Sequence, residues 1–169
     1  MLYILRRPWF RLILLALVLL SIQTTLFSEM KPFGETIDIM LLAAAATGIV
    51  GGSQVGALAG FILGIAFDLV LVSPFGVSPL VYGIVGFLAG YATGLTFQPT
   101  WYLHSAFVAL ASAGGVFVFA IVQYIVGPRA PLSAAVLQTA IVLGIANGIL
   151  APLAMPIQRW CLGIKRAVV

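Results

Sequence analysis

Long apolar runs separated by short polar breaks set the pattern of this chain. The breaks fall at Ser28–Thr36, Gly51–Gln54, Ser73–Ser78, Gln98–Thr100 and Gly127–Pro131, and most carry glycine or proline. Such clusters end helices and open turns. The runs between them predict six helices, at about Phe10–Phe27, Ile37–Gly52, Val55–Val72, Pro79–Phe97, Trp101–Val126 and Leu132–Ile157. The second is short and alanine-rich. Pro79 suits the first turn of the fourth helix, where its missing N–H costs nothing.

Small residues recur every four positions in three of these runs. They are Gly56, Gly60 and Gly64 in helix 3, Gly86, Gly90 and Gly94 in helix 4, and Ala140, Gly144 and Gly148 in helix 6. Residues four apart share one helix face. Glycine stripes let helices approach closely where lipid is the solvent. Each stripe has two readings, a crossing surface for a partner's helix or the protein's own core. Three rows together predict a tight bundle rather than a wide pore.

Composition agrees with that solvent. Of 169 residues, 63% are hydrophobic and 7% are charged, whereas soluble domains carry about 25% charged residues. A membrane-crossing helix needs about 20 apolar residues, so the length fits six spans in a single transmembrane domain, residues 1–169. The expected fold class is all-α, an integral membrane bundle of about six transmembrane helices. The N-terminal stretch, basic then apolar, resembles a signal peptide, but no small-x-small cleavage site follows, so an uncleaved first helix is expected.

The net charge of +4 comes from residues near the chain ends, which points to membrane topology and not to nucleic acid. With six spans, Arg6, Arg7, Arg11, Arg159, Lys165 and Arg166 share one side, against Lys31 and Arg129 on the other. The positive-inside rule then places both termini in the cytoplasm. Trp9, Trp101, Tyr102 and Trp160 fall at the same helix ends, as an aromatic belt does. The single cysteine, Cys161, excludes an internal disulfide and reads as a small apolar residue.

Five polar positions stand out inside the apolar runs. Asp68, one helical step of four beyond Gly64, is costly in hydrocarbon and requires a partner or a role. With helix 3 ending at Val72, it lies about 7.5 Å below the outer helix end. It either caps the following loop or anchors a partner helix, proton or ligand, with Arg129 as a candidate counter-charge. Gln123 and Gln138 lie at similar depth. Asn147, near the middle of helix 6, either bonds a neighbouring helix or satisfies groups freed by a kink at Pro152. His104 reads as an interfacial histidine.

Catalysis finds no support in these residues. A nucleophilic triad needs its members within hydrogen-bond reach, and His104 and Asp68 belong to opposite ends of their helices. One histidine and one cysteine cannot furnish a metal site with several ligands. No cofactor is expected.

The block Gly60-Phe61-Ile62-Leu63-Gly64-Ile65-Ala66-Phe67-Asp68-Leu69, followed by Ser73-Pro74-Phe75-Gly76-Val77, Leu80-Val81-Tyr82 and Gly86-Phe87-Leu88-Ala89-Gly90, resembles the rod shape-determining MreD family. Asn147-Gly148-Ile149-Leu150-Ala151-Pro152 before a basic tail is a second similarity, and Asp38 at the start of helix 2 a third. The family often has a Pro-Asp pair there, where this chain has Ile37-Asp38. The resemblance implies a non-catalytic scaffold of the bacterial cell-elongation machinery in the cytoplasmic membrane. It implies binding to MreC and, through MreC, a link to MreB, RodA and a class B penicillin-binding protein. Asp68, the glycine row Gly56, Gly60 and Gly64, Gly76, Asn147, Gly148 and Asp38 are then the candidate partner-binding or structural residues. The chain is also similar in size and span number to substrate-binding S components of energy-coupling-factor vitamin transporters. Those carry an alanine-x-x-x-alanine face on helix 1, where this chain has leucines and only Ala16.

Overall fold

The computed structural model describes residues 8–27, 37–70, 76–95, 100–126 and 134–164. The described residues form six α-helices: α1 (Pro8–Ile22), α2 (Ile39–Gly51), α3 (Ser53–Asp68), α4 (Val77–Gly94), α5 (Trp101–Val126) and α6 (Ala134–Leu162). A single π-helical turn, Gln23–Phe27, extends α1. Arg6, Arg7, Lys31, Lys165, Arg166 and Arg129, on which the topology and counter-charge expectations rest, lie outside the described residues, as does most of the Ser73–Val77 turn.

The helices match the expected runs with shifted ends. Helix 3 stops at Asp68 and not at Val72, so Asp68 is its last residue rather than a group set a turn inside it. Helix 6 continues past Ile157 to Leu162 and passes through Pro152 and Pro156 without interruption. Both prolines face outward. Only one residue outside helical geometry, Gly52 at φ 86°, joins α2 to α3. That left-handed backbone favours glycine.

Three helices, α4, α5 and α6, are long and apolar enough to cross a membrane. The α1, α2 and α3 helices are shorter. At 13 residues, α2 is about 20 Å long, less than the ~30 Å of a bilayer's hydrocarbon core. It is also the most buried, with every residue from Ile39 to Gly48 shielded. The α3, α4, α5 and α6 helices all pack on it. Its four alanines, Ala43–Ala46, are what lets four neighbours surround one helix. A bulkier side chain at any of them would push a neighbour away.

The core is therefore a column of small residues. Around it lie Met40, Leu41, Leu63, Val81, Tyr82, Val85, Val108 and Leu143. The outer faces of the bundle carry large apolar side chains, such as Leu110, Ile145, Ile149 and Leu153, which suit lipid. α1 is the peripheral helix. It touches α3, α6 and, more lightly, α2. The first turn of α1 and the last turn of α6 meet, since Arg11 donates to the Trp160 carbonyl at 3.1 Å. The start of α1 and the end of α6 thus lie at the same end of the bundle.

Candidate functional site

A helix that begins inside a bundle exposes four backbone N–H groups that no intrahelical carbonyl satisfies. Water is absent from hydrocarbon, so the chain itself must supply acceptors. At the start of α2 two side chains do this. Asp38 is the N-cap, and its Oδ1 accepts from Met40 N at 3.0 Å and Leu41 N at 2.9 Å. Gln23, from the π-helical turn after α1, accepts from Ile39 N at 2.9 Å and donates through Nε2 to the Ile37 carbonyl at 2.8 Å. The amide of Gln23 thus mimics a peptide group and ties α1 to α2. A carboxylate at this position also faces the positive end of the helix dipole.

Three further helices converge on the same point. The Tyr82 hydroxyl of α4 donates to Asp38 Oδ2 at 2.5 Å. From α6, Asn147 donates through Nδ2 to the Asp38 carbonyl at 3.3 Å and to Ser112 Oγ of α5 at 3.0 Å. Asn147 and Ser112 are fully buried. Asn147 Oδ1 has no hydrogen-bond partner among the described residues. Asp38 is therefore the hub of a polar network that joins α1, α2, α4, α5 and α6. Beside it lies a cavity of about 220 Å³ whose lining includes Gln23, Asp38, Phe67, Tyr82, Thr139 and Leu143.

Asp68 has a different place. Its Oδ2 accepts from Gly76 N at 2.6 Å, so the carboxylate bridges the end of α3 and the start of α4. Gly76 is the residue before α4 and has φ 107°, a conformation that favours glycine. The expected loop-capping role matches this bond. The depth expected from a longer helix 3 does not, because an Asp that bonds forward along the chain ends its helix here.

The glycine rows of α3 and α4 face each other. A Cβ on Gly56 or Gly86 would fall on the other's carbonyl oxygen, and one on Gly48 of α2 would also strike Gly86. Gly60 meets the Tyr82 carbonyl, and Gly64 meets Pro79 backbone. The row on α4 ends at Gly90, because Gly94 has open space around it. On α6, Gly144 and Gly148 lie against Ala109 of α5. In this chain the rows are filled by its own helices. Gln23 and Ser112 belong to the network although the sequence reading did not select them. The signal was present, as a glutamine amide and a mid-helix serine in apolar runs.

No cluster of three or more metal-ligating side chains occurs among the described residues.

The sequence matches the family described as rod shape-determining protein MreD over residues 5–158 of 169. The chain belongs to the MreD family. No curated protein and no solved structure gives a match. The match includes both Asp68 with Gly76 and the Asp38 network. It makes the protein a rod shape-determining membrane protein of bacteria, and the all-helical bundle with three long apolar helices fits that assignment. The Asp38–Tyr82–Asn147 network and the Asp68 clamp are built by this chain's own contacts.

Proposed function

We propose that this MreD-family chain is a non-catalytic scaffold of the cell-elongation machinery in the cytoplasmic membrane, and that it binds MreC. Through MreC it connects to MreB, RodA and a class B penicillin-binding protein. The family match over residues 5–158 carries the proposal. Both termini lie in the cytoplasm in this reading, with the Asp68–Gly76 clamp at the outer end of the bundle.

The packing supports a scaffold. A short central helix held by five polar side chains gives a rigid bundle with a fixed outer surface. Asp38, Gly56, Gly60, Gly64, Asn147 and Gly148 serve by building that shape. Asp68 and Gly76 serve by fixing the end of α3 against the start of α4. In a bilayer, close packing and a few hydrogen bonds drive helix association, so a rigid outline is what a partner helix can read.

Co-purification of tagged protein with MreC in mild detergent tests the proposal. MreC is expected to be retained, and failure to retain it from membranes that contain both proteins counts against the proposal. A small molecule carried through the same purification at micromolar affinity would instead favour the vitamin-binding S-component reading, with the cavity beside Asp38 and Tyr82 as its site.

A further inference from the structure

A second cavity, of about 210 Å³, lies between α1, α2 and α6. One wall is the α1 face formed by Leu15, Leu19 and Ile22, and the opposite wall includes Leu153 and Ile157 of α6. Leu153 and Ile157 are also exposed on the outer surface of the bundle, so this cavity is a groove open to the surroundings. Along α6 it runs from Leu150 to Gln158, about 12 Å at the helical rise.

Two observations say what fits it. The first is Gln158, which lines the groove at its end nearest the chain termini. It is 2% exposed, and its Oε1 is buried with no donor among the described residues. A buried amide oxygen without a donor costs free energy that a hydroxyl or amine would recover. The second is charge. Arg11 lies one turn before Leu15 on the same face of α1. It is held at the groove's mouth by its bond to the Trp160 carbonyl and by stacking 5.2 Å from the Trp160 ring centroid. The mouth is cationic, the interior is apolar, and one hydrogen-bond acceptor lies between them.

We infer that this groove binds one acidic glycerophospholipid from the leaflet next to the chain termini, with its phosphate at Arg11, a headgroup hydroxyl folded back past the phosphate to Gln158 and an acyl chain between α1 and α6. The walls decide against a partner helix. They are mostly branched leucine and isoleucine side chains, and among the described residues Ala43 and Ala154 are the only small ones in them. Tight helix pairs in lipid use rows of small residues, and this chain's rows are already filled. A flexible acyl chain needs no such row. The inference rests on the bundle lying in a membrane and is independent of MreC binding.

The full chain in nanodiscs, titrated with phosphatidylglycerol or phosphatidylcholine that carries a photoreactive acyl chain, tests it. Phosphatidylglycerol is expected to label the stretches around Leu19 and Ala154, and phosphatidylcholine to label them less. Arg11→Ala should reduce phosphatidylglycerol labelling about fivefold, the effect of one basic group near an acidic surface, and Arg11→Lys should restore most of it. Ala154→Phe, which fills the groove, should reduce labelling by both lipids without changing the elution profile. Equal labelling by the two lipids, or labelling that Arg11→Ala and Ala154→Phe leave unchanged in folded protein, overturns the inference. So does a crosslink in cells from position 154 to another protein's helix.

Discussion

The Tyr82 hydroxyl donates to the Asp38 carboxylate at 2.5 Å, joining two helices whose residues lie 44 positions apart in the chain. This bond holds the N-terminal end of the most buried helix against α4. It also places a carboxylate where the α2 N–H groups need an acceptor. Helix initiation and helix packing therefore depend on the same side chain.

That coupling is measurable. Tyr82→Phe removes only the donor and should destabilise the protein by about 1–2 kcal/mol, in the upper range found for hydrogen bonds between membrane helices. Asp38→Ala removes the bond and the N-cap together, and a lost cap alone costs about 0.5–2 kcal/mol. The double variant should be little worse than Asp38→Ala. Thermal unfolding in detergent checks the cycle, and strictly additive losses would contradict the coupling.

Glycine packing gives a sharp contrast within one row. Gly56→Ala and Gly86→Ala each push a methyl group into a facing backbone carbonyl. Each should cost about 1–3 kcal/mol or more and broaden the elution profile. Gly94→Ala, four residues beyond Gly90, meets open space. It should be neutral or slightly stabilising, since alanine favours a helix by about 1 kcal/mol over glycine. Size-exclusion profiles of heated samples rank the three variants.

Asp68→Ala should leave the protein inserted while loosening the start of α4, because Gly76 N loses its acceptor. Recovery of MreC should fall several-fold and the unfolding temperature should drop. Asp68→Asn keeps an acceptor oxygen and should preserve most of both. If MreC recovery is untouched while the unfolding temperature falls, the clamp is confined to folding and the partner role is lost.

Cys161 is fully buried and unpaired as a disulfide. It should resist maleimide in the folded bundle from either side of the membrane and react after unfolding. Reporters fused to the two ends test sidedness directly. Both are expected to be active only as cytoplasmic fusions, and a periplasmic readout at either end would reverse the orientation.

Legibility differed from residue to residue. The alternation of apolar runs with glycine and proline breaks predicted α5 at Trp101–Val126, the bounds the structure has. It predicted α3 four residues too long, because Leu69–Val72 continue the apolar run while the Asp68 carboxylate bonds forward to Gly76. Asp68 drew attention as the acid within an apolar run. Asp38 looked peripheral because it stood at a helix start among other polar residues. The structure reverses their weight, since Asp38 meets α4 and α6 while Asp68 joins neighbouring ends of α3 and α4.

Composition and periodicity alone determined that this chain is all-helical and suited to lipid, because burying apolar groups and satisfying every backbone N–H are requirements each segment meets by itself. The spacing of glycines determined that some helices pack closely. Which helices those are was decided only by the tertiary structure. A row four apart marks a face and carries no address, and the address of Gly56 is Gly86. The same holds for Asp38, whose partners Tyr82 and Asn147 come from two distant segments. Hydrogen-bond partners are fixed by positions in space, and those positions exist only once the whole bundle has formed.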